Sequence, residues 1–199
     1  MHLSVITLGH VHESDLAALT PYCTRIEQLV LDINPREPLS KHRPEFNRAI
    51  DASTADWVLI VRERETVEDA LAKEIIDVAN AAKAWGFRIR TVPIYAGKPL
   101  RVPVEGEVRF FHKRHYMRFA NKGEWDELTI QGTVVRMQNA LRAITFESVD
   151  SHRDYLARNA KRRSMLSRVF VFLRDAIALR TIDANTLRYA WTEAGFTKA

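Results

Sequence analysis

The chain has 199 residues, with 46% apolar and 28% charged side chains and a formal net charge of +5. This composition indicates a globular protein with a sizeable core and argues against disorder. The positive balance suits an anionic ligand, such as a nucleotide diphosphate, a nucleic acid or an acidic membrane surface, without choosing among them. Cys23 is the only cysteine, which excludes an internal disulfide and favours a reducing compartment.

The first residues and the apolar runs of the chain indicate the cellular location of the protein. The first residues carry neither a charged leader nor a cleavable apolar segment, so the sequence predicts no signal peptide. No apolar run approaches the roughly 20 residues that a membrane-spanning helix needs. We therefore expect a cytoplasmic protein, and peripheral contact with the inner face of a membrane stays open.

Predicted strands and helices alternate through the first half of the chain. The strands are apolar and rich in β-branched residues, and the helices repeat their apolar residues at a helical period. In chain order, the sequence predicts strand 3–7, helix 14–19, strand 28–33, helix 45–53, strand 57–61, helix 66–85 and strand 87–94. The helix over 66–85 is expected to start at a Thr66-Val-Glu-Asp69 capping box and to stop at Gly86. This alternation predicts a mainly parallel sheet flanked by helices.

The second half of the chain has a different character, because prolines and glycines interrupt residues 95–107. Short strands are predicted at 108–111, 116–119, 128–130 and 133–137, the last two as a hairpin around Gln131-Gly132. Two helices, over 151–179 and 184–195, close the chain. We therefore expect an α/β domain over residues 1–150 and a C-terminal helical extension over 151–199, packed on the domain or forming an interface.

Four charged residues, Arg62-Glu-Arg-Glu65, follow the most apolar predicted strand. Residues 57–61 form an almost purely apolar run, typical of a strand that is buried on both faces. In α/β sheets, ligands bind beyond the carboxyl ends of the strands. Alternation would place Arg62 and Arg64 on one side of the strand end and the two glutamates on the other.

Several short segments carry a resemblance to a known family. The segment ADWVLIVRERE stands where that family typically reads GDWVLFLDADE. The other segments are LSVITLGHVHESDL, RIEQLVLDIN, FNRAIDAS, RFFHKRHYMRF, EWDELTIQG and ESVDSHRDYLARNAKRRS, in this order. Together they resemble the family 2 glycosyltransferases of the branch that builds lipopolysaccharide core and related cell-envelope glycans. The resemblance spans residues 1–173 and implies a GT-A-like, Rossmann-type fold that binds a nucleotide-sugar.

The resemblance implies roles for several residues. The family holds a divalent metal against the nucleotide diphosphate with an Asp-x-Asp motif, and the aligned positions here are Arg62 and Arg64. Arginine has no acceptor and stays protonated, so the usual metal site is absent unless Glu63 and Glu65 substitute, and no divalent metal is expected as a cofactor. The family's base, which deprotonates the acceptor hydroxyl, maps onto Glu127, with Asp126 beside it.

Two interpretations of the arginine pair follow. Two guanidinium groups are suited to phosphate oxygens and would stabilise the leaving diphosphate, which predicts a transferase that needs no metal. Alternatively, the protein is a pseudoenzyme, a catalytically inactive GT-A-fold binding or assembly protein, with the charges forming a solvated strand end.

Three further segments are candidate binding sites, and each also has an interpretation without a binding role. His10 and Glu13, with His12 between them, lie in the loop that covers the nucleotide in the family; the alternatives are a metal cluster and a solvated loop. Asp32 ends a predicted strand where the family contacts the base or ribose, and the alternative is a turn aspartate. Residues 109–118 are basic and aromatic, but core strands use the same aromatics, so nucleic acid is the least favoured partner.

The predicted helix over 151–179 is amphipathic and basic. Its apolar stripe is Leu166, Val169, Phe170, Leu173 and Ile177. Such a helix covers a sheet, pairs with its twin in a homodimer, or lies in a membrane interface, and these three uses stay open.

Overall fold

The structure, a computed structural model, describes residues 1–33, 39–100, 106–117, 128–159 and 184–193. The strands in these ranges are β1 (His2–Leu8), β2 (Arg25–Leu31), β3 (Trp57–Arg62), β4 (Glu65–Thr66), β5 (Gly86–Tyr95), β6 (Lys98–Pro99), β7 (Glu107–His112), β8 (Tyr116–Met117), β9 (Thr129–Ile130) and β10 (Val134–Phe146). The helices are α1 (Glu13–Leu16), α2 (Arg43–Ala52), α3 (Asp69–Ala81), α4 (Val149–Asn159) and α5 (Ala184–Glu193).

The main sheet has the strand order β2-β1-β3-β7-β5-β10-β4, with β6 paired to β5. Strand β1 pairs in parallel with both β2 and β3. Strand β7 is antiparallel to β3 and to β5, so β2, β1, β3 and β5 all run in one direction and β7 opposes them. The predicted α/β class, a mainly parallel sheet flanked by helices, is confirmed.

Both faces of the sheet are covered, and this explains the continuous apolar run in β3. Trp57, Leu59 and Val61 belong to the core that α3 closes, whereas Val58 and Ile60 belong to the core that α2 closes. Because successive strand residues point to opposite faces, a strand between two helical layers must be apolar at every position. The prediction of a strand buried on both faces is therefore confirmed.

The third helix is shorter than the sequence predicts. It begins at Asp69 with Glu68 as its N-cap and ends before Ala82, which takes a left-handed conformation with φ of 48°. The predicted capping box is wrong, because Thr66 lies in β4 and its hydroxyl donates to Asp15 Oδ1 at 3.1 Å. The predicted stop at Gly86 is also wrong, because Gly86 begins β5.

The predicted hairpin around Gln131-Gly132 does not form. Strand β9 pairs with β8 in a separate two-stranded sheet, while β10 joins the main sheet. Gly132 has a φ of 107°, and a Cβ at this position would lie 2.8 Å from Cδ1 of Trp85. The glycine is therefore required by its backbone conformation and by the indole beside it.

The described chain divides into two compact units, residues 1–91 with 105–141 and residues 92–104 with 142–199. In the second unit, the buried ring of His152 stacks on Phe146 at 4.1 Å and on Tyr189 at 5.3 Å. The boundary expected at residue 150 stays a prediction. Residues 160–183 lie outside the described ranges, so the dimer and membrane uses of helix 151–179 also stay predictions. None of the helices described is long and apolar enough to span a bilayer.

Candidate functional site

The carboxyl ends of three parallel strands meet at one edge of the main sheet. Leu8 at the end of β1 lies between Leu31 of β2 and Arg62 of β3 in the strand register. The chain beyond each end is tied to its neighbour, since the Gly9 amide donates to the Leu31 carbonyl and the Glu63 amide to the Leu8 carbonyl. Strand β7 opposes β3, so its first residues return to the same edge. This carboxyl edge is the candidate site.

The turn that follows β3 separates the two arginines. Arg62 ends the strand, and Glu63 and Arg64 are exposed in the turn that leads to β4. Arg64 has a φ of 66°, a left-handed conformation that side chains other than glycine, asparagine and aspartate rarely adopt. Alternation therefore ends at Arg62, and the expectation that Arg62 and Arg64 share one side, with the glutamates on the other, is wrong.

Glu65 is a buried acceptor whose carboxylate is fully occupied. It is 3% exposed. Its Oε2 accepts from the Arg62 backbone amide at 2.8 Å and from Arg109 Nη1 at 3.2 Å. Its Oε1 accepts from Arg109 Nη2 and from the Thr91 hydroxyl, both at 3.3 Å. A carboxylate has about four acceptor positions, so Glu65 has none left for a ligand or a metal.

A second carboxylate, Glu107, joins the two arginines of this network. Its Oε2 accepts from Arg62 Nη2 at 3.0 Å and from Arg109 Nε at 2.9 Å. The Glu107 side chain is 50% exposed and that of Arg62 is 25% exposed, whereas that of Arg109 is 2% exposed. The two positive and two negative charges cancel, so the network as a whole is neutral.

The backbone explains why these charges meet. Strands β3 and β7 pair only from Trp57 to Leu59, so they part towards the carboxyl edge. Strand β7 also carries a bulge against β5, where Phe87 pairs with Phe110 but Arg88 pairs with Val108. Arg109 is the extra residue of this bulge. A bulge re-aims a side chain, and here the Arg109 guanidinium bonds to the carboxylates of Glu65 and Glu107.

The surroundings of Arg62 act on its ionisation. Burial lowers the pKa of this guanidinium, and the nearby Arg109 lowers it further, whereas Glu107 and Glu65 raise it. Its Nε is buried and has no hydrogen-bond partner among the described residues. Arginine stays protonated under all ordinary conditions, so the consequence is a partly desolvated cation with a buried donor, Nε, left unused.

His10, Glu13 and Asp32 follow the neighbouring strand ends. His10 and His12 are exposed, and their rings meet edge to face at 4.7 Å, as expected for an extended segment. Glu13 is exposed at the first position of α1, and Asp32 is exposed directly after β2. The structure thus brings His10, Asp32, Arg62 and Arg64 to one sheet edge. Asp126 and Glu127 lie outside the described residues.

The residues after β3 do not fit the divalent metal of the resembled family. Arg62 and Arg64 stand where that family has its two ligands, Glu65 is fully occupied, and Glu63 is a single exposed carboxylate. Over the described part of the chain, no three histidine, cysteine, aspartate or glutamate side chains are grouped to hold a metal ion. His10, His12 and Glu13 are not grouped in this way.

Sequence reasoning did not single out Glu107, and it assigned Arg109 only to the basic and aromatic segment 109–118, so it missed the two residues that complete the network. One signal was available, since Arg109 interrupts an apolar strand between Val108 and Phe110. A charged residue within a buried strand requires a buried partner, although the sequence alone does not identify it.

The described part of the basic and aromatic segment, residues 109–117, lies mostly at the opposite edge of the sheet. Phe110 and Phe111 are fully buried, and the Tyr116 hydroxyl donates to Asn47 Oδ1 at 2.7 Å. His115 stacks on Trp85 with ring centroids 4.2 Å apart. The aromatic rings that would stack on bases are therefore engaged within the protein, which removes the main argument for an RNA-binding face.

His112 makes the stability of this edge depend on pH. Burial lowers the pKa of its imidazole; Asp56 opposes this shift, and His115 and Arg114 add to it. The folded state binds this proton less readily than the unfolded state. The contribution of His112 to the stability of the fold is therefore fully present above the unfolded pKa of 6.5 and is lost as the pH falls below it.

We therefore expect the urea concentration at the unfolding midpoint of the wild type to fall as the pH is lowered from about 7 to about 5. This pH dependence should be smaller in His112→Gln. The pH slope is compared, rather than the stability at one pH, because the substitution also changes packing against Trp57 and Trp85. An unchanged slope in the variant would assign the pH dependence to other groups.

Comparison with known proteins gives structural likenesses only. No protein-family profile matches the chain, and no curated protein matches it. A structure of S. aureus TarS 1–349 is 10% identical, with 88% of this chain and 71% of that chain covered and a TM-score of 0.41. The same TarS segment in complex with UDP-GlcNAc is 10% identical, with coverages of 98% and 79% and a TM-score of 0.44. A longer TarS structure is 10% identical, with coverages of 88% and 43% and a TM-score of 0.39. Likenesses of this strength identify neither a family nor a ligand for this chain.

Proposed function

We propose that this protein is a glycosyltransferase-like protein that binds a nucleotide-sugar at the carboxyl edge of its sheet. The observation that carries the proposal is the convergence of three parallel strand ends, with Arg62 at the end of β3 and His10, Asp32 and Arg64 just beyond the strand ends. Such an edge is where α/β sheets bind ligands. The resemblance of the segment around β3 to the family 2 glycosyltransferases supports a nucleotide-sugar as the ligand.

The two arginines contribute unequally in this proposal. Arg64 is exposed in the turn and forms no ion pair with the described residues. Its guanidinium therefore binds a diphosphate without first breaking an ion pair. Arg62 is already engaged by Glu107 at 3.0 Å. The nucleotide-binding charge therefore comes first from Arg64, and Arg62 contributes only after it has changed partners.

The proposal has an active and an inactive form. In the active form, the arginines stabilise the negative charge of the departing nucleotide diphosphate, and sugar transfer proceeds without a divalent metal. In the alternative, the chain is a catalytically inactive binding or assembly protein. The neutral network around Arg62 favours this alternative, because a cation that is already paired stabilises a developing anion less.

Calorimetry with UDP- and GDP-sugars, with EDTA and separately with Mn²⁺, tests the proposal. We expect saturable binding that is the same in EDTA and in Mn²⁺. Binding that requires Mn²⁺ would contradict the arginine role, and the absence of binding to every nucleotide-sugar would overturn the proposed ligand.

Arg64→Gly isolates the contribution of Arg64 with little effect on the fold. Glycine accepts a φ of 66° without steric cost, and this gain offsets its larger entropy in the unfolded chain, so we expect the free energy of unfolding to change by less than about 1 kcal/mol. Nucleotide-sugar affinity should fall about 5- to 10-fold, as for one exposed charged hydrogen bond.

The matched control for this variant is Arg25→Ala. Arg25 is exposed at the first position of β2, at the opposite edge of the same sheet, and its removal changes the net charge equally. Calorimetry should show wild-type affinity for this control. Equal losses in both variants would indicate a long-range charge effect rather than a contact at Arg64.

A further inference from the structure

We infer that Glu107 occupies an oxyanion position between Arg62 and Arg109, and that a diphosphate binds Arg62 by displacing this carboxylate. The inference rests on the proposed function and adds to it a residue that sets anion affinity. A carboxylate and a phosphate present similar oxygens to a guanidinium, so each competes with the other for the same donors.

The geometry of Glu107 is that of a shared anion. A single oxygen, Oε2, accepts from Arg62 Nη2 at 3.0 Å and from Arg109 Nε at 2.9 Å. Two guanidinium groups that converge on one oxygen form a site for an oxyanion. Glu107 lies at the start of β7, at the edge of the sheet where β1, β2 and β3 end.

The members of the network differ in how easily they are displaced. The Glu65 carboxylate is 5% exposed as a side chain and holds Arg109 through two hydrogen bonds, so Arg109 keeps a counterion when Glu107 leaves. The Glu107 side chain is 50% exposed and has solvent into which it can turn. Displacement therefore leaves no buried charge without a partner.

Arg62 obtains more hydrogen-bond acceptors when a diphosphate replaces Glu107. Its Nε is buried without a hydrogen-bond partner in the described residues, and its Nη2 contacts Glu107 alone in the ion pairs at this edge. A diphosphate has more acceptor oxygens than one carboxylate and more negative charge. It supplies acceptors for donors that Glu107 leaves unused.

Glu107→Gln tests the inference with pyrophosphate and a UDP-sugar as calorimetric probes. The amide keeps the size of the side chain and removes its charge, so the network becomes positive by one charge. We expect affinity for both probes to increase about 3- to 10-fold over the wild type, the range of a partly exposed ion pair.

The matched control is Glu63→Gln, which removes one negative charge from an exposed residue next to Arg62. Its affinity should stay within about twofold of the wild type, because a charge that is only nearby is screened by salt. The double variant Arg62→Ala with Glu107→Gln should lose the gain. A gain that persists in the double variant, or an equal gain in Glu63→Gln, would overturn the displacement.

The outcomes separate this inference from the proposed function. If the wild type binds the UDP-sugar and Glu107→Gln binds it no more tightly, the displacement is wrong and the proposed function stands. If neither protein binds either probe, both are wrong. Should Glu107→Gln fail to fold, Glu107→Asp replaces it. Aspartate is one methylene shorter, so we expect it to lose contact with at least one arginine; higher affinity then supports displacement and unchanged affinity overturns it.

Discussion

Replacing Arg109 with methionine should lower the free energy of unfolding by about 3–5 kcal/mol, because it leaves a buried carboxylate without its cation. Arg109 donates two hydrogen bonds to Glu65 and one to Glu107, and its side chain is only 2% exposed. Methionine retains most of the volume, so the loss reports on charge more than on packing. Urea unfolding followed by circular dichroism measures it.

Two further variants establish the cause. Glu65→Leu combined with Arg109→Met removes both buried charges and should recover most of the loss, since apolar replacements of a buried ion pair are often neutral or stabilising. Arg114→Ala removes an exposed arginine that lies 3.9 Å from Asp56 and should cost less than about 0.5 kcal/mol. A loss below about 1 kcal/mol in Arg109→Met would show that solvent reaches Glu65.

The architecture was predictable because its signals are local. The apolar run over 57–61 and the alternating strands and helices before it are patterns of neighbouring residues, and each reflects burial on one or two faces. The structure has β3 between the two helices that these patterns indicate, although the second of them is shorter than predicted. The sequence also indicated that the charges of Arg62 to Glu65 lie at the carboxyl end of β3, where the structure has them.

The arrangement of those charges was not predictable from local patterns. Glu65 and Arg109 are 44 residues apart in the chain, and the bulge at Arg109 depends on the register of β7 against β5. Thr66 matched a capping box in sequence, but its hydroxyl bonds to Asp15, in another segment. Long-range pairing thus decided both outcomes, and an alternating pattern does not encode it.

Two arginines at the end of a strand do not by themselves make two available cations. The pattern Arg-Glu-Arg-Glu resembles a doubly cationic replacement for a metal site, yet only Arg64 is exposed for such a role. Arg62 is half-buried beside Glu107, and Glu65 is the partner of Arg109. The charge available to a diphosphate is therefore set by strand β7 as much as by the sequence after β3.

Glu127→Gln should reduce sugar transfer about 10²- to 10⁴-fold in the active form of the proposed function, the usual contribution of a general base. The resemblance aligns Glu127 with the carboxylate that removes the acceptor proton, and an amide of the same size cannot accept that proton. Donor affinity should stay within about twofold of the wild type, because the base acts on the acceptor. Release of nucleotide from UDP- and GDP-sugars, with water as the acceptor, measures turnover.

Two other acid-to-amide variants serve as controls for Glu127→Gln. Asp126→Asn, at the adjacent candidate, should reduce turnover less than Glu127→Gln, and Asp77→Asn, at an exposed position on α3, should not change it. Unchanged turnover in Glu127→Gln would remove Glu127 from the role of base. A wild type that binds donors and releases no nucleotide would support the inactive form, because binding then occurs without a group that activates the acceptor.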